Sequence, residues 1–523
     1  MAVTVAKSPQ EPQPVFGSAT IALSVILLIT VWRIGVLFAT PLGLYPEEAQ
    51  YWLWSRELAF GYFSKPPMIA WVIATTTALG GNGEAFVRLA APLSHAVTAL
   101  AVMGIGRHVY GVREGALAAL LYILMPAVAL SSLLIATDAP LLAFMSLSLL
   151  AYVRLQTARG RARLAWALGF GGALGLAFLS KYAALYWIAG VAIHLIWSRE
   201  ARRAWPLAAV AAALAGFFVV VSPNIAWNLS HGLATVAHTA SNAGLDSAQH
   251  FQLAPLGEFI GGQFGVFGPI PFGLLIGGGV LLAWRRRLQA SDKMMIAFVA
   301  PPLAVITVQA FVTQANANWA AVAYVPASVL VAAWLLRFEP RSRIWTWITL
   351  GLQGAVAIAF LVLVTRPGWA DAAGLSNSLK RARGWEQMTQ LIVERARLEA
   401  GGGPLTAVVV QDRFTFNSAA YYGRNAFGQD LPPLRMWVRG AAPRNQAEAV
   451  AALTPDLGGR VLIVSLDPAE TPLMMADFRT IRARQFITVR LDRRHSRRAE
   501  MFVAEGFAPR PRGPAPVAVL PPP

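Results

Sequence analysis

Residues 18–40 read SATIALSVILLITVWRIGVLFAT, a stretch of 23 residues whose only charge is Arg33. A run of about 20 apolar residues crosses the hydrocarbon core of a bilayer as a helix, because lipid offers no hydrogen-bond partner to an unpaired backbone. The stretch is too long for the core of a signal peptide and lacks a convincing cleavage site. We therefore predict that it is the first membrane-spanning helix.

Further apolar stretches follow along the chain. Of the 523 residues of the whole chain, 56% are apolar and 13% are charged, and the mean hydropathy is +0.52. Soluble domains contain about 45–50% apolar and about 25% charged residues, so the composition excludes an ordinary cytosolic enzyme, a disordered chain and a fibrous repeat. With 18–40, the apolar stretches predict eleven spans, the other ten being 85–105, 116–135, 139–153, 165–179, 182–198, 205–222, 265–284, 294–312, 319–336 and 344–365.

Basic residues predict the orientation of the chain in the membrane. The formal charge of +18 would suggest a nucleic-acid partner in a soluble chain, but the arginines here lie in short runs between apolar stretches. Cytoplasmic loops of membrane proteins collect Lys and Arg. One set of connecting loops holds 16 basic residues, and the opposite set holds only Arg56, Lys65 and Lys181. The contrast predicts a cytoplasmic amino-terminal tail at 1–17, a bilayer as partner and no nucleic acid.

The carboxy-terminal part differs from the predicted membrane domain at 18–365. An odd number of spans places residues 366–523 outside the cell membrane, and a small extracytoplasmic α/β domain is predicted over 366–508, followed by a Pro-rich tail at 509–523. The fold class is thus a polytopic α-helical membrane protein with a small C-terminal α/β domain. The evidence is an amphipathic pattern at 376–399 and strand-like runs at 405–411, 460–466, 486–491 and 501–503.

The predicted first outer loop, 41–84, holds the first candidate site. It contains PEEAQYWLWSR at 46–56 and GYFSKPP at 61–67. The carboxylates of Glu47 and Glu48 would supply a general base, and Lys65, in a rigid Lys-Pro-Pro turn, would supply a cation for an anionic leaving group. The same composition also fits an interfacial helix with Tyr and Trp at headgroup level and a snorkelling lysine.

Further candidates lie in the other predicted outer segments. Asp138, in the short turn TDAP at 137–140, fits either a functional carboxylate or a helix cap. Lys181 fits either a cation of the site or a snorkelling lysine. In the long outer loop 223–264, the spacing of the ionisable residues matches no defined metal site. We therefore expect solvated side chains rather than metal ligands at His231, His238, Asp246 and His250.

The first loop resembles a family signature. Segments 46–52 and 61–67 are similar to the Pro-Asp-Glu-Ala-x-Tyr-Trp and Gly-Tyr-x-x-(Lys/His)-Pro-Pro motifs of bacterial glycosyltransferase family 39, C-type membrane glycosyltransferases related to protein O-mannosyltransferases and lipid A aminoarabinose transferase. Weaker matches follow in order along most of 45–435, at Thr137-Asp138-Ala139-Pro140-Leu141, Ser180-Lys181-Tyr182, Ser222-Pro223-Asn224, Trp227-Asn228, Gly268-Pro269, Asn318-Trp319 and Gln411-Asp412-Arg413-Phe414.

The resemblance implies transfer of a sugar from a polyprenyl-phosphate donor to an envelope acceptor on the outer face of the bacterial cytoplasmic membrane. The acceptor class stays open between lipid A or another polysaccharide, a lipid and a protein. Glu47 stands where the family usually has Asp, so either Glu47 or Glu48 would be the catalytic carboxylate, and Asp138 matches the second family carboxylate. The resemblance further implies donor-phosphate binding by Lys65, with Tyr62 and Lys181 lining the same cavity, and sugar or acceptor contacts by Trp227, Asn228, Asn318 and Arg413.

The implied chemistry is an inverting hexosyl or pentosyl transfer without a required cofactor. A lipid phosphate is already a good leaving group, so no nucleotide-binding glycine loop is needed; a divalent metal ion is compatible with the site but not required. A transporter or flippase for a lipid-linked sugar is the alternative. That class places charged groups along a path through the membrane, whereas the acidic candidates here lie on one predicted side.

Overall fold

The structure, a computed structural model, describes residues 18–242, 251–440 and 442–510. The predicted cytoplasmic tail, Asp246, His250 and residues 511–523 of the predicted Pro-rich tail lie outside the described residues. The chain forms two compact units. The first comprises the chain up to Leu37, Arg88–Ser230 and Ala240–Leu361, and the second comprises Phe38–Val87, His231–Thr239 and the chain from Val362.

Long apolar helices confirm the polytopic α-helical fold. Within the described ranges, eight helices are long and apolar enough to cross a membrane: Ala19–Ala39, Glu84–Val109, Asp138–Thr157, Gly160–Ser180, Leu207–Ser230, Ala290–Val312, Ala317–Arg337 and Arg343–Thr365. Shorter apolar helices lie at Met68–Gly80, Tyr182–Trp197 and Pro269–Trp284. The first of these shorter helices falls in the predicted outer loop, and the total of eleven spans stays a prediction.

The expected continuous helix at 116–135 is wrong. The structure has two helices there, Val112–Ile123 and Pro126–Ser131. Met125 leaves the helical conformation (φ −51°, ψ 134°), because a proline ring clashes with a helical residue immediately before it. The break leaves carbonyl groups of the first helix without intrahelical donors. The Arg33 guanidinium donates to one of them, the Ile123 carbonyl oxygen, at 2.7 Å.

Other predicted spans keep their place but change their limits. The stretch 139–153 lengthens to Asp138–Thr157, and 205–222 lengthens to Leu207–Ser230. The stretch 265–284 is divided, since a π-helical turn at Leu274–Gly278 separates two short α-helices, Pro269–Gly273 and Gly279–Trp284. The remaining helices of the first unit are Arg199–Ala204 and Leu253–Val266.

Glycines bring two helices of the first unit into direct contact. A Cβ atom on Gly171 would overlap the Ala213 carbonyl oxygen, and one on Gly216 would overlap the Leu168 carbonyl oxygen. Membrane helices associate through such close backbone approach, because lipid is as apolar as their side chains and supplies little hydrophobic drive. The contact holds Gly160–Ser180 against Leu207–Ser230 and so fixes the helix end that Lys181 follows.

The second unit contains a five-stranded mixed sheet, which confirms the small C-terminal α/β domain. Its strands are β1 (Ala407–Val410), β2 (Leu434–Met436), β3 (Arg460–Ser465), β4 (Phe478–Arg490) and β5 (Ser496–Phe507), in the order β2-β1-β3-β5-β4. β1 is parallel to β2 and β3, whereas β5 is antiparallel to β3 and β4. All residues of β1 are buried, as is typical of a strand covered on both faces.

Several helices of the second unit pack against this sheet, and the first loop, 41–84, belongs to the same unit. The predicted amphipathic pattern at 376–399 corresponds mainly to Trp385–Gly401, and the predicted runs at 405–411 and 460–466 correspond to β1 and β3. The first loop is helical at Pro46–Trp54 and Met68–Gly80. The shorter helices are Ala234–Asn242, Pro367–Ala372, Ser376–Leu379, Arg413–Tyr422, Gln446–Val450 and Thr471–Met475.

Candidate active site

The two glutamates of the first loop have different surroundings. Both lie in the first turn of the helix Pro46–Trp54, which begins with a proline. Carboxylates in the first turn interact favourably with the helix dipole. The Glu48 side chain is buried, at 1% exposure, and its Oε2 accepts a hydrogen bond from the Tyr45 backbone N–H at 2.9 Å. The Glu47 side chain is 34% exposed. Glu48 thus serves the helix start, whereas Glu47 is accessible.

Arg381 is the ion-pair partner of Glu47 in the second unit. It lies in the single turn Lys380–Ala382, and its carbonyl oxygen accepts a hydrogen bond from the Trp385 indole N–H at 2.9 Å. Its guanidinium lies 5.5 Å from the centre of the Phe414 ring. The Arg413 guanidinium lies 4.9 Å from the same ring. One aromatic ring therefore has two cations against it, an arrangement that the ring's quadrupole favours.

Lys65 lies in a turn that several hydrogen bonds hold. The backbone N–H of Tyr62 donates to the Lys65 carbonyl oxygen at 3.1 Å, and the N–H of Phe63 donates to the Gln446 side chain at 2.8 Å. The Thr235 hydroxyl donates to the Tyr62 carbonyl oxygen at 2.6 Å. Two prolines with restricted φ follow Lys65. The backbone that carries this cation is therefore fixed from both sides.

Tyr62 is a buried support of this turn. Its ring is stacked on Trp54 with 4.6 Å between ring centres, and its hydroxyl lies 2.8 Å from the Trp54 carbonyl oxygen and 2.9 Å from that of Glu57. The hydroxyl also accepts from the Ala59 N–H. Burial raises the pKa of Tyr62 to about 12. The geometry indicates that Tyr62 stabilises the loop; its predicted place in a donor cavity stays a prediction.

The pKa of His238 is affected by the positive charges at and near Lys65. Burial, together with the charges of Lys65 and Arg413, lowers the pKa of His238 to about 4, and its ring centre is 6.0 Å from that of Phe63. The imidazole is therefore neutral at pH 7. We call Lys65, Arg381 and Arg413 the basic cluster. All three lie in one compact unit, Arg381 and Arg413 lie against Phe414, and Lys65 and Arg413 both lower the pKa of His238. Such a cluster favours an anion.

Asp138, Lys181 and Asn318 meet in the first unit. The Lys181 ammonium lies 2.9 Å from Asp138 Oδ1, and the Asn318 side-chain N–H donates to Asp138 Oδ2 at 3.3 Å. Asp138 is the first residue of its helix, and the N-cap residue, Thr137, makes no side-chain cap hydrogen bond. The Asp138 carboxylate contacts the side chains of Lys181 and Asn318, which belong to two other elements, and not the backbone N–H groups at the start of its own helix. The structure thus joins three residues that the sequence analysis had singled out separately.

Trp227 and Asn228 lie on Leu207–Ser230, also in the first unit. Asn228 is buried, and its side-chain N–H donates to the Asn224 carbonyl oxygen at 3.0 Å. Its Oδ1 has no hydrogen-bond partner among the residues that the structure describes. Trp227 is half-buried. Their sugar or acceptor contacts, and a single cavity for all predicted site residues, stay predictions.

The suggested metal ligands do not form a group in the part of the chain that the structure describes. In those ranges, no three His, Cys, Asp or Glu side chains are arranged to hold a metal ion. Asp246 and His250 lie outside them. The roles of His231 and of a divalent ion therefore stay predictions.

Sequence reasoning missed Arg381, the partner of Glu47. A signal was present, since Lys380, Arg381 and Arg383 form a basic run after the last apolar stretch, on the predicted outer side, where the other loops are poor in basic residues. The expected solvated side chain at His238 is wrong, because the imidazole is partly buried and lies near Lys65 and Arg413. This approach was not predicted. It joins segments far apart in the sequence, for which one chain gives no pairing signal.

Comparison with known proteins gives consistent matches. The profile of the family described as dolichyl-phosphate-mannose-protein mannosyltransferase matches residues 64–227. Lipid A galacturonosyltransferase RgtD of Rhizobium johnstonii is 36% identical over 448 residues, which cover 85% of this chain and 90% of the relative. Undecaprenyl phosphate-alpha-4-amino-4-deoxy-L-arabinose arabinosyl transferase 2 of Pseudomonas fluorescens is 26% identical over 431 residues, covering 72% of this chain and 70% of that relative.

A solved structure shares the fold. The crystal structure of ArnT from Cupriavidus metallidurans bound to undecaprenyl phosphate superposes with a TM-score of 0.60 and 18% identity, covering 94% of this chain and 98% of that chain. The likeness extends over both compact units, since it covers nearly the whole chain.

Proposed function

Since the chain belongs to the C-type membrane glycosyltransferases, we propose that it transfers a sugar from a polyprenyl phosphate, such as undecaprenyl phosphate, to lipid A. The observation that carries the proposal is an accessible carboxylate, Glu47, beside the basic cluster in one compact unit. Transfer from a lipid phosphate needs a base for the acceptor hydroxyl and positive charge for the leaving phosphate. The two relatives support the donor and acceptor classes.

The proposed reaction is one inverting displacement. The acceptor hydroxyl oxygen attacks the anomeric carbon from the face opposite to the phosphate, and the bond from that carbon to the phosphate oxygen breaks with its electron pair going to the phosphate. Glu47 accepts the hydroxyl proton. Lys65 holds the phosphate, where negative charge develops, and its fixed backbone keeps the ammonium in place without reorganisation.

Glu47 rather than Glu48 is the base in this proposal. The Glu48 carboxylate is buried and accepts from the helix-start N–H of Tyr45. Moving it to an acceptor would leave that N–H without its acceptor, which costs free energy. The Glu47 carboxylate is one-third exposed, so an acceptor hydroxyl can approach it.

Asp138 has a positioning role in the proposal. Its ion pair with Lys181 and its hydrogen bond from Asn318 hold three separate elements of the first unit in one arrangement. The Lys181 ammonium thereby keeps a fixed direction. We assign Asp138 to the orientation of Lys181 rather than to proton transfer.

The proposed sugar is a hexuronic acid. The relative that is 36% identical carries galacturonosyltransferase in its name. A uronate donor bears a carboxylate in addition to the phosphate, and the basic cluster offers three cations, of which Arg381 pairs with Glu47. An aminoarabinose donor, by contrast, brings a cation that such a cluster repels.

Envelope lipids test the proposed function in cells. Lipid A from cells with and without the protein is compared by mass spectrometry. We expect a hexuronic acid on lipid A only when the protein is present. Lipid A that is identical in the two samples would contradict the proposed acceptor.

The proposed orientation has a cytoplasmic amino terminus, with the first loop and the C-terminal domain outside. It rests on the unequal distribution of basic residues between alternate loops. Single cysteines at Ser64 and Arg161 test it, because the chain has no native cysteine. In intact cells, an impermeant thiol reagent should label position 64 and spare position 161; the reverse pattern would overturn the orientation.

A further inference from the structure

Arg381 has a contact that the proposed reaction does not use. It forms an ion pair with Glu47, the proposed base, and both side chains are about one-third exposed, at 35% and 34%. An ion pair at this exposure is weak, because water and salt screen it and two side chains lose freedom in forming it. A stronger anion would therefore displace the carboxylate.

The donor phosphate is such an anion. Guanidinium groups bind phosphate through two parallel hydrogen bonds, and these charge-assisted bonds are short and strong. Phosphate also gains charge as the sugar leaves, so a cation that turns toward it stabilises the transition state more than the bound donor.

The surroundings of Arg381 suit a change of partner. Its backbone is held by the hydrogen bond from Trp385, while its guanidinium lies on the face of Phe414. The attraction between a cation and a ring face is electrostatic and acts within about 6 Å of the ring centre, so it does not determine which acceptor the guanidinium N–H groups face. Arg413 lies against the same Phe414 ring as Arg381. Lys65 and Arg413 both lower the pKa of His238, so Arg413 links Arg381 to the third cation of the basic cluster.

We propose that Arg381 exchanges Glu47 for the donor phosphate. Without donor, Arg381 pairs with the Glu47 carboxylate. With donor bound, Arg381 binds the phosphate together with Lys65 and Arg413, and Glu47 becomes available to the acceptor hydroxyl. The exchange makes the donor bind before the acceptor and keeps the base paired with Arg381 until a lipid phosphate is bound. This inference rests on the proposed donor class and adds a function for Arg381 within it.

Binding of undecaprenyl phosphate to the purified full chain tests the exchange without requiring turnover. Glu47→Gln removes the competitor for Arg381, so it should tighten binding about two- to fivefold, the range of an exposed ion pair. Arg381→Gln should weaken binding about tenfold or more, as expected for loss of a charged hydrogen-bond donor. Arg381→Lys should restore part of the loss.

The double variant isolates the coupling. In Arg381→Gln, the further change Glu47→Gln should no longer affect undecaprenyl phosphate binding, because the two residues act through one contact. Lys380→Gln is the matched control, since it removes the same charge from the neighbouring position, and it should bind as the wild type does. Loss of folding is excluded by thermal unfolding in detergent.

Two results would overturn the inference, and they are distinguishable from one another. If the wild type binds undecaprenyl phosphate but Glu47→Gln does not bind it more tightly, the exchange is wrong and the proposed donor stands. If the wild type does not bind undecaprenyl phosphate, the proposed donor class is wrong and the exchange falls with it.

Discussion

Two ion pairs among the candidate residues, one in each compact unit, differ in how firmly each is held. Asp138 and Lys181 are 18% and 25% exposed and come from the ends of two packed helices, and Asp138 also accepts a hydrogen bond from Asn318. Glu47 and Arg381 are about one-third exposed, and Arg381 lies in a single turn against an aromatic ring. The enclosed pair suits a permanent orientation, whereas the open pair suits an exchange of partners during a reaction.

The largest expected effect concerns the open pair. Glu47→Gln keeps the size of the side chain and removes the charge, so transfer should fall about 10²–10⁴-fold, the usual effect of losing a positioned general base. The neighbouring change Glu48→Gln should instead lower the free energy of unfolding by about 1 kcal/mol through the helix start. Kinetics and thermal unfolding of both variants are the measurement. Full activity in Glu47→Gln with loss in Glu48→Gln would reverse the two assignments.

Lys65 should give the second largest effect. Lys65→Met retains the apolar stem and deletes the charge, so transfer should fall about 10²–10³-fold, by analogy with loss of an oxyanion-stabilising donor. A snorkelling lysine would give no such loss. Transfer is measured together with the melting temperature, and near-normal transfer would return Lys65 to an interfacial role.

The enclosed pair should behave as a unit. Asp138→Asn and Lys181→Met should each lower transfer, and the double variant should lose less than the sum, with a coupling free energy of about 0.5–3 kcal/mol. Additive losses in this double-mutant cycle would show that Asp138 does not act through Lys181.

The smallest expected effect is on pH-dependent stability. The pKa of His238 is lowered from its ordinary 6.5 to about 4 by burial and by Lys65 and Arg413. Above the ordinary value, both folded and unfolded chains hold a neutral imidazole. As the pH falls from 6.5 toward 4, the unfolded chain binds a proton that the folded chain does not. Protonation therefore favours the unfolded chain, and the free energy of unfolding decreases over this range.

His238→Asn tests this dependence. The wild type should lose more melting temperature than the variant between pH 7 and pH 5, measured in the same detergent. Equal losses would mean that His238 is not held neutral beside the basic cluster.

Hydrophobic runs allowed the sequence to predict the membrane fold, which the structure confirms. Local motifs singled out the first loop and Asp138, whose roles in a site stay predictions. Length and apolarity are sufficient to indicate a span, but they overlook local breaks, so the stop before Pro126 was missed within a continuous apolar run. The short strand β2 was missed because three residues carry little pattern. The Glu47–Arg381 pair joins positions 334 residues apart, and only the folded chain shows that they meet.

Sugar transfer by the purified chain is the decisive measurement for the proposed reaction. The wild type and Glu47→Gln are incubated with undecaprenyl phosphate-linked galacturonic acid and lipid A, and both products are followed by mass spectrometry. For the wild type we expect lipid A with one added hexuronic acid and an equal amount of undecaprenyl phosphate, with at least about a hundredfold slower formation by the variant. No transfer by the wild type, or transfer by Glu47→Gln at the wild-type rate, would contradict the account.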